Sequence, residues 1–130
     1  MGEFTGRVAL VTGSSSGIGE AIARRLGALG AHVVVNSATS VEAGRAVAAS
    51  IGGTATYVQA DIADKASGER LVDETIARFG RLDILVNNAG WTTLVDHRDL
   101  DALTDDVFDR TFEVNVKGTW MLTKYALPHL

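Results

Sequence analysis

The stretch that decides the fold is Thr12-Gly13-Ser14-Ser15-Ser16-Gly17-Ile18-Gly19. It follows an apolar, β-branched run at residues 7–12 and precedes apolar residues at helical spacing that end at Gly30. This order predicts a buried strand, a tight glycine-rich turn and a helix. Backbone N–H groups and the positive end of the helix dipole then converge at one point, where phosphate binds. The spacing is G-x-x-x-G-x-G rather than the common G-x-G-x-x-G, and taken alone it is also compatible with an ordinary Ser/Gly turn.

The rest of the chain repeats the alternation of strand and helix. Further strands are predicted at 32–36, 55–59 and 82–87, and Thr104 is predicted to cap a long helix from roughly Asp105 to the end. Such alternation builds a parallel sheet with helices on both faces, and right-handed crossovers give the doubly wound order 3-2-1-4. We therefore predict one α/β domain of Rossmann type over residues 1–130. Because Leu130 ends an apolar helix, we expect truncation after the fourth strand and the helix that follows it.

Composition excludes several classes of function. The 130 residues contain no cysteine and carry a net charge of −4, with acids and bases mixed along the chain. Disulfide scaffolds and thiolate metal sites are therefore excluded, and no basic face for nucleic acid is predicted. The histidines lack metal-ligand spacing, so no metal is expected. We predict neither a signal peptide nor a membrane span, and we expect a cytoplasmic protein.

A second polar turn, Asn87-Asn88-Ala89-Gly90, ends the fourth predicted strand. Ligands of open parallel sheets bind beyond the carboxyl ends of the strands, where the strand order reverses. In the order 3-2-1-4 that point lies between the first and fourth strands. The glycine-rich turn and this turn should therefore flank one crevice, although Asn and Gly also form ordinary turns without a ligand.

Two single residues are further candidates. Asp61 follows the third predicted strand, where its carboxylate could accept a hydrogen bond from an adenine amino group; a turn or helix-cap aspartate is the alternative. Asn115 lies inside the last predicted helix, where Asn is unfavourable. Its amide could bond the backbone, bend the helix and hold a water molecule. The alternative is a tolerated polar residue on a partly exposed face.

Together these motifs resemble the classical short-chain dehydrogenases/reductases, and among them most of all the 3-oxoacyl-acyl-carrier-protein reductases and general ketone reductases. The resemblance rests on residues 12–19, Asp61-Ile62, Asn87-Asn-Ala-Gly90 and Asn115-Val-Lys-Gly118, in the family's order. It implies a pyrophosphate turn shaped by Gly13, Gly17 and Gly19, with cofactor contacts from Ser15, Ser16 and Ile18. It also implies an adenine site bordered by Asp61 and Ile62, a ribose site lined by Asn88, Ala89 and Gly90, and a catalytic role for Asn115.

The resemblance further implies an NAD(P)-dependent oxidoreductase that transfers a hydride between a nicotinamide cofactor and a small-molecule carbonyl or alcohol substrate. The family's catalytic Ser and its Tyr-x-x-x-Lys are not found in these 130 residues. We therefore predict that this chain alone is inactive. The alternative function is a non-catalytic nucleotide-binding module or pseudoenzyme. An unrelated P-loop protein is disfavoured because G-x-x-x-x-G-K-[ST] is absent.

The second strand bears on the cofactor and the last helix on the oligomer. Asn36 and Ser37 stand where NAD enzymes usually carry an acid, so NADP is predicted, with NAD possible. The preference should be modest, because no Arg or Lys follows Asn36 directly. Apolar residues cover more of the last helix than one core-facing stripe needs. The family pairs this helix between subunits, which implies a homodimer or homotetramer.

Overall fold

The computed structural model describes residues 2–130 and contains one parallel sheet of four strands. The strands are β1 (Val8–Val11), β2 (His32–Ser37), β3 (Ala55–Gln59) and β4 (Ile84–Val86). Their order is β3-β2-β1-β4, as the sequence predicts. In the registers, Val8 pairs with His32 and Ala9 pairs with Ile84. The predicted reversal of strand order therefore lies between β1 and β4.

Within residues 2–130, five α-helices connect and cover the strands. They are α1 (Gly17–Ala28), α2 (Val41–Ile51), α3 (Lys65–Phe79), α4 (Asp105–Phe112) and α5 (Thr119–Ala126). The predicted cap at Thr104 is confirmed, since its side chain accepts from Val107 N. The Asp64 side chain caps α3 in the same way, accepting from Ser67 N. Gly80 ends α3 in the left-handed conformation.

The core has two layers because side chains alternate across a strand. Leu10 and Val34 face a cluster that includes Leu71 of α3 and Leu122 of α5. Val11, Val33 and Val35 face a second cluster, formed with α1 and α2. Both faces of the sheet are thus covered by helices, which is the doubly wound α/β arrangement that the sequence predicts.

Two predicted boundaries are wrong. The fourth strand runs over Ile84–Val86 instead of 82–87. Among the described strands it pairs with β1 alone, and just before it the Asp83 carboxylate accepts a hydrogen bond from Val8 N. The predicted long helix is interrupted by a π-helical segment, Glu113–Gly118, and ends in a 3₁₀ turn, Leu127–His129. Residues 91–103 are irregular apart from a 3₁₀ turn at Leu100–Ala102.

Across residues 2–130, none of the helices combines the length and the apolar character that a membrane crossing requires.

Candidate functional site

The glycine-rich turn lies between β1 and α1, at the carboxyl edge of the sheet. Gly13 has φ of +61° and Gly17 has φ of +58°, a left-handed backbone that other residues rarely adopt. Ser16 precedes the first turn of α1, and its hydroxyl makes no capping bond within the described chain. The amides at the start of this helix are thus available to an external acceptor, and an anion is favoured there.

Gly19 is constrained by the protein itself. A β-carbon at this position would overlap the Asn88 side-chain amide and the Gly13 carbonyl group. From the sequence, the expected reason for a glycine is close approach to a pyrophosphate. The structure supplies another reason: the turn folds back onto Gly19, the first buried residue of α1, and leaves no room for a side chain there.

Thr12 and Asn88 join the two predicted turns. The Asn88 side-chain amide donates to Thr12 O and Gly13 O, both at 3.0 Å. The fully buried Thr12 hydroxyl accepts from Asn88 N at 3.1 Å and from Ala89 N at 2.9 Å. The structure therefore brings the turns together as predicted. Thr12 was missed as a candidate because nothing in the sequence distinguishes it from a residue that merely ends a strand.

Asn36 holds the turn from the other side. Its Oδ1 accepts from Gly13 N at 3.2 Å, and its Nδ2 donates to Val58 O at 3.1 Å and Ala60 O at 3.2 Å. The residue is only 1% exposed. Ser14 adds two bonds, because its hydroxyl accepts from Asn36 N and its own N–H donates to Asn36 O. The Asn36 side-chain amide therefore connects the glycine-rich turn to β2 and β3.

Ser37 is also turned inward. Its hydroxyl lies 2.7 Å from the Tyr57 hydroxyl, and the residue is 6% exposed. Tyr57 packs beneath α2, where a β-carbon on Gly44 would overlap its ring. The sequence predicts Asn36 and Ser37 as cofactor contacts, but the structure assigns both side chains to bonds within the protein. The role that this geometry supports for them is positioning.

Asp61 and Ile62 follow β3 at the same edge. The Asp61 carboxylate accepts from Ala63 N at 2.9 Å and from the Arg110 guanidinium at 3.2 Å, and about a third of the side chain is exposed. Ile62 is 4% exposed and belongs to the core beside α3 and α5. An adenine at this edge could therefore meet the Asp61 side chain but only the backbone of Ile62.

Asn115 lies in the π-helical segment and forms hydrogen bonds with the backbone of Trp91, the residue that follows the turn at 87–90. Its Oδ1 accepts from Trp91 N at 2.7 Å, and its Nδ2 donates to Trp91 O at 2.9 Å. The expected bond from this amide to the backbone is thus present, but its partner lies 24 positions away along the chain. Gly118 permits the close packing, because a β-carbon there would lie 2.8 Å from Ile62 O. Asn115 therefore fixes the path of the chain out of the crevice.

The remaining predicted residues differ in exposure. Ser16 and Gly90 are exposed, Ser15 and Ala89 are half-buried, and Ile18 is 75% exposed. In the described part of the chain, His, Asp and Glu side chains form no cluster of three or more that could hold a metal ion. The site therefore consists of backbone amides, neutral side-chain amides and hydroxyls, together with one paired carboxylate.

A glycine-rich turn entering a helix, at the point where a parallel sheet reverses its strand order, defines a dinucleotide-binding α/β architecture. The family model described as short chain dehydrogenase matches residues 7–130, and the chain belongs to that family. One relative is a protein of Streptomyces violaceoruber named as ketoacyl reductase 2 of the granaticin polyketide synthase. It is 54% identical over 123 residues, which make up 95% of this chain and 49% of the relative.

Solved structures agree with this assignment. A 3-ketoacyl-(acyl-carrier-protein) reductase from Brucella melitensis, complexed with NADH, matches with a TM-score of 0.91 and 38% identity. A short-chain dehydrogenase from Burkholderia cenocepacia, in complex with NADP, matches with a TM-score of 0.90 and 44% identity. Each alignment covers 98% of this chain, and it covers 51% and 52% of the two structures, respectively. The chain thus spans about half the length of the relatives it matches.

Proposed function

We propose that the protein is an NAD(P)-dependent oxidoreductase that transfers a hydride between a nicotinamide cofactor and a carbonyl or alcohol substrate. The observation that carries this proposal is the pair of hydrogen bonds that the Asn88 side-chain amide donates to Thr12 O and Gly13 O. These bonds fix a phosphate-binding turn at the point where the strand order of the sheet reverses. The matched structures with bound NADH and NADP support it.

The residues present suit a dinucleotide. The uncapped start of α1 would hold the pyrophosphate, the segment from Asn88 to Gly90 would line the ribose, and Asp61 would accept from the adenine amino group. When bound, the cofactor supplies the hydride. The protein's part is to bind and orient, and Asn115 keeps the Trp91 backbone in place beside the crevice.

Proton transfer needs a group that these residues do not include. A tyrosine hydroxyl has a free pKa of about 10 and needs a nearby cation to work near neutrality. Tyr57 bonds Ser37 beneath α2, away from the crevice opening, and no Tyr-x-x-x-Lys occurs in the 130 residues. We therefore keep the prediction that this chain alone is inactive. The pseudoenzyme alternative is not favoured, because two of the similar proteins are named as ketoacyl reductases.

A 3-oxoacyl thioester is the substrate class that we propose first, because two of the relatives are named as ketoacyl reductases. The test follows NADPH absorbance when the purified full-length protein receives acetoacetyl-CoA, with a panel of simple ketones as comparison. We expect the thioester to be reduced with the higher kcat/KM. Turnover of simple ketones alone would exclude the thioester, and cofactor binding without turnover of any carbonyl would favour the pseudoenzyme.

The proposed preference for NADP rests on the connection between β2 and α2. No acid lies between Asn36 and Val41, and Thr39 and Ser40 are exposed hydroxyls that can donate to a 2′-phosphate. Since the Ser37 hydroxyl is already paired, the preference should be smaller than the sequence implies. We expect kcat/KM to be only several-fold higher with NADPH than with NADH, and a reversed ratio would overturn the proposal.

A second copy of the chain is the proposed partner of the α4–α5 surface. Phe108, Phe112, Val116 and Trp120 are each at least half exposed on this surface, and the first two rings stack at 4.7 Å. Exposed apolar patches of this kind usually mark interfaces. Light scattering of the full-length protein at micromolar concentration should show a dimer or tetramer, and Phe112→Lys should shift it toward monomer. A wild-type monomer would contradict the assignment.

A further inference from the structure

Arg110 contacts the one candidate site residue that carries a charge. The Arg110 guanidinium, on α4, donates to the Asp61 Oδ2 atom at 3.2 Å across 49 positions of sequence. Both side chains are about one-third exposed, so the pair lies at the rim of the crevice. No sequence motif includes Arg110, and nothing in the proposed function uses it.

Asp61 is held from several directions. Its Oδ1 accepts from Ala63 N at 2.9 Å, its backbone N–H donates to the Ser67 hydroxyl, and its backbone carbonyl accepts from Asp64 N. These bonds fix the main chain and one carboxylate oxygen. Arg110 fixes the other oxygen, and each oxygen keeps a second lone pair that can accept a further hydrogen bond.

Charge gives a second reason for the pair. A dinucleotide brings a negatively charged pyrophosphate to this edge, and an isolated carboxylate at the rim would oppose its approach. A guanidinium bound to that carboxylate offsets the negative charge, while the carboxylate oxygens remain acceptors. The carboxylate can then select an amino group without repelling the phosphates.

We propose that Arg110 is a positioning residue through which Asp61 recognises the amino group of adenine. This inference rests on the proposed function. It predicts that the protein discriminates adenine from hypoxanthine, whose 6-oxo group cannot donate to a carboxylate. It also predicts that the discrimination requires both members of the pair.

The test measures dissociation constants of the full-length protein for NADPH and for deamino-NADPH, which carries hypoxanthine in place of adenine. We expect the wild type to prefer NADPH by about tenfold, the equivalent of one hydrogen bond to a charged acceptor. Asp61→Ala should abolish the preference, Arg110→Met should reduce it to about threefold or less, and Arg110→Lys should restore most of it. In the Asp61→Ala background, Arg110→Met should have no further effect.

Arg24→Met is the matched control, because Arg24 forms an exposed ion pair with Glu20 on α1 and makes no contact with Asp61. It should leave the ratio of the two constants unchanged. If folded Arg110→Met keeps the wild-type ratio, or weakens both cofactors equally, Arg110 does not position Asp61. A wild type that binds neither dinucleotide would overturn the proposed function and this inference together, whereas an altered outcome in the variants alone would overturn only this inference.

Discussion

The two edges of the sheet are held together by different chemistry. At the carboxyl edge, the side-chain amides of Asn36 and Asn88 donate to backbone carbonyls, and Thr12 and Ser14 add hydroxyl bonds. At the amino edge, the Asp83 carboxylate accepts from Val8 N at 2.9 Å and from the Arg81 guanidinium. Neutral groups thus hold the two turns at the carboxyl edge, where the Asp61 carboxylate is paired with Arg110, and charged groups hold the amino edge.

The difference matters because only the carboxyl edge has to accept an anion. Backbone amides and a helix dipole attract phosphate, and an unpaired carboxylate beside them would cancel part of that attraction. Neutral amides can fix the turn without that cost. At the amino edge no ligand is expected, so the Asp83 carboxylate can pair with Arg81 and accept from Val8 N of β1 without interfering with function.

The largest expected effect comes from Gly19→Val. Its side chain would overlap the Gly13 carbonyl and the Asn88 amide, so the phosphate turn has to move. We expect cofactor affinity to fall more than a hundredfold, and stability to fall by about 1–3 kcal/mol from overpacking. Calorimetric titration with NADPH and thermal melting check both quantities.

Gly53→Val is the control for that experiment, since a β-carbon on Gly53 would meet nothing within 4 Å and the residue does not have positive φ. It should leave affinity unchanged. Wild-type affinity in folded Gly19→Val would remove the turn from the site.

The next largest effect is expected from Asn36→Asp, which places a charge at the carboxyl edge. Aspartate can still accept from Gly13 N, but it cannot donate to Val58 O and Ala60 O. We expect a loss of about 2–3 kcal/mol in the free energy of unfolding, because two buried carbonyls lose their donor. Because the side chain points inward, we expect no switch toward NAD. A stable variant that prefers NADH would show that residue 36 faces the ribose.

The smallest effect is expected at the amino edge, from Asp83→Asn. The Arg81 guanidinium, assisted by the Val8 amide, holds the pKa of the Asp83 carboxyl below its ordinary value of 3.8. A depressed pKa stabilises the fold above the ordinary value, and this contribution is lost as pH falls through the folded value. The variant should be about 1 kcal/mol less stable at pH 7, a modest figure because the Arg81 side chain is more than half exposed and water screens the pair.

Urea unfolding at a series of pH values measures this contribution. The difference between wild type and Asp83→Asn should be constant near neutrality and shrink below about pH 4, where the wild-type carboxyl takes up its proton. A difference that grows on acidification would have the wrong sign for a depressed pKa. Wild type and Asp83→Asn should have the same cofactor affinity.

Much of the architecture was predictable because it depends on local patterns. The alternation of strands and helices, the turn at residues 12–19 and the rule of right-handed crossovers together give the order of the sheet. A bend of the last helix at Asn115 was among the predictions, but the π-helical form of the interruption was not predictable in the same way. This form of the helix depends on the hydrogen bond between Asn115 and Trp91 and on the close contact of Gly118 with Ile62. Both contacts join residues distant in sequence.

The candidate site was predictable in position but not in the direction of its side chains. Residue type and spacing located the two turns, yet Asn36 and Ser37, which the sequence predicts as cofactor contacts, have buried side chains. Whether a polar residue at a strand end faces a ligand or the protein depends on partners such as Val58 O and the Tyr57 hydroxyl, which lie on another strand. Arg110 could not be found, because its partner Asp61 is 49 positions away.

The most direct test of the central claim, that the two neutral turns at the carboxyl edge bind a nicotinamide dinucleotide, is amide chemical-shift mapping of the full-length protein during titration with NADPH. The largest shifts should fall on the amides of residues 13–19 and 88–90, with smaller shifts near Asp61. The amides of Val8, Arg81 and Asp83 at the amino edge should not move. Saturable shifts at the amino edge, or no saturable shift at the two turns, would contradict the account.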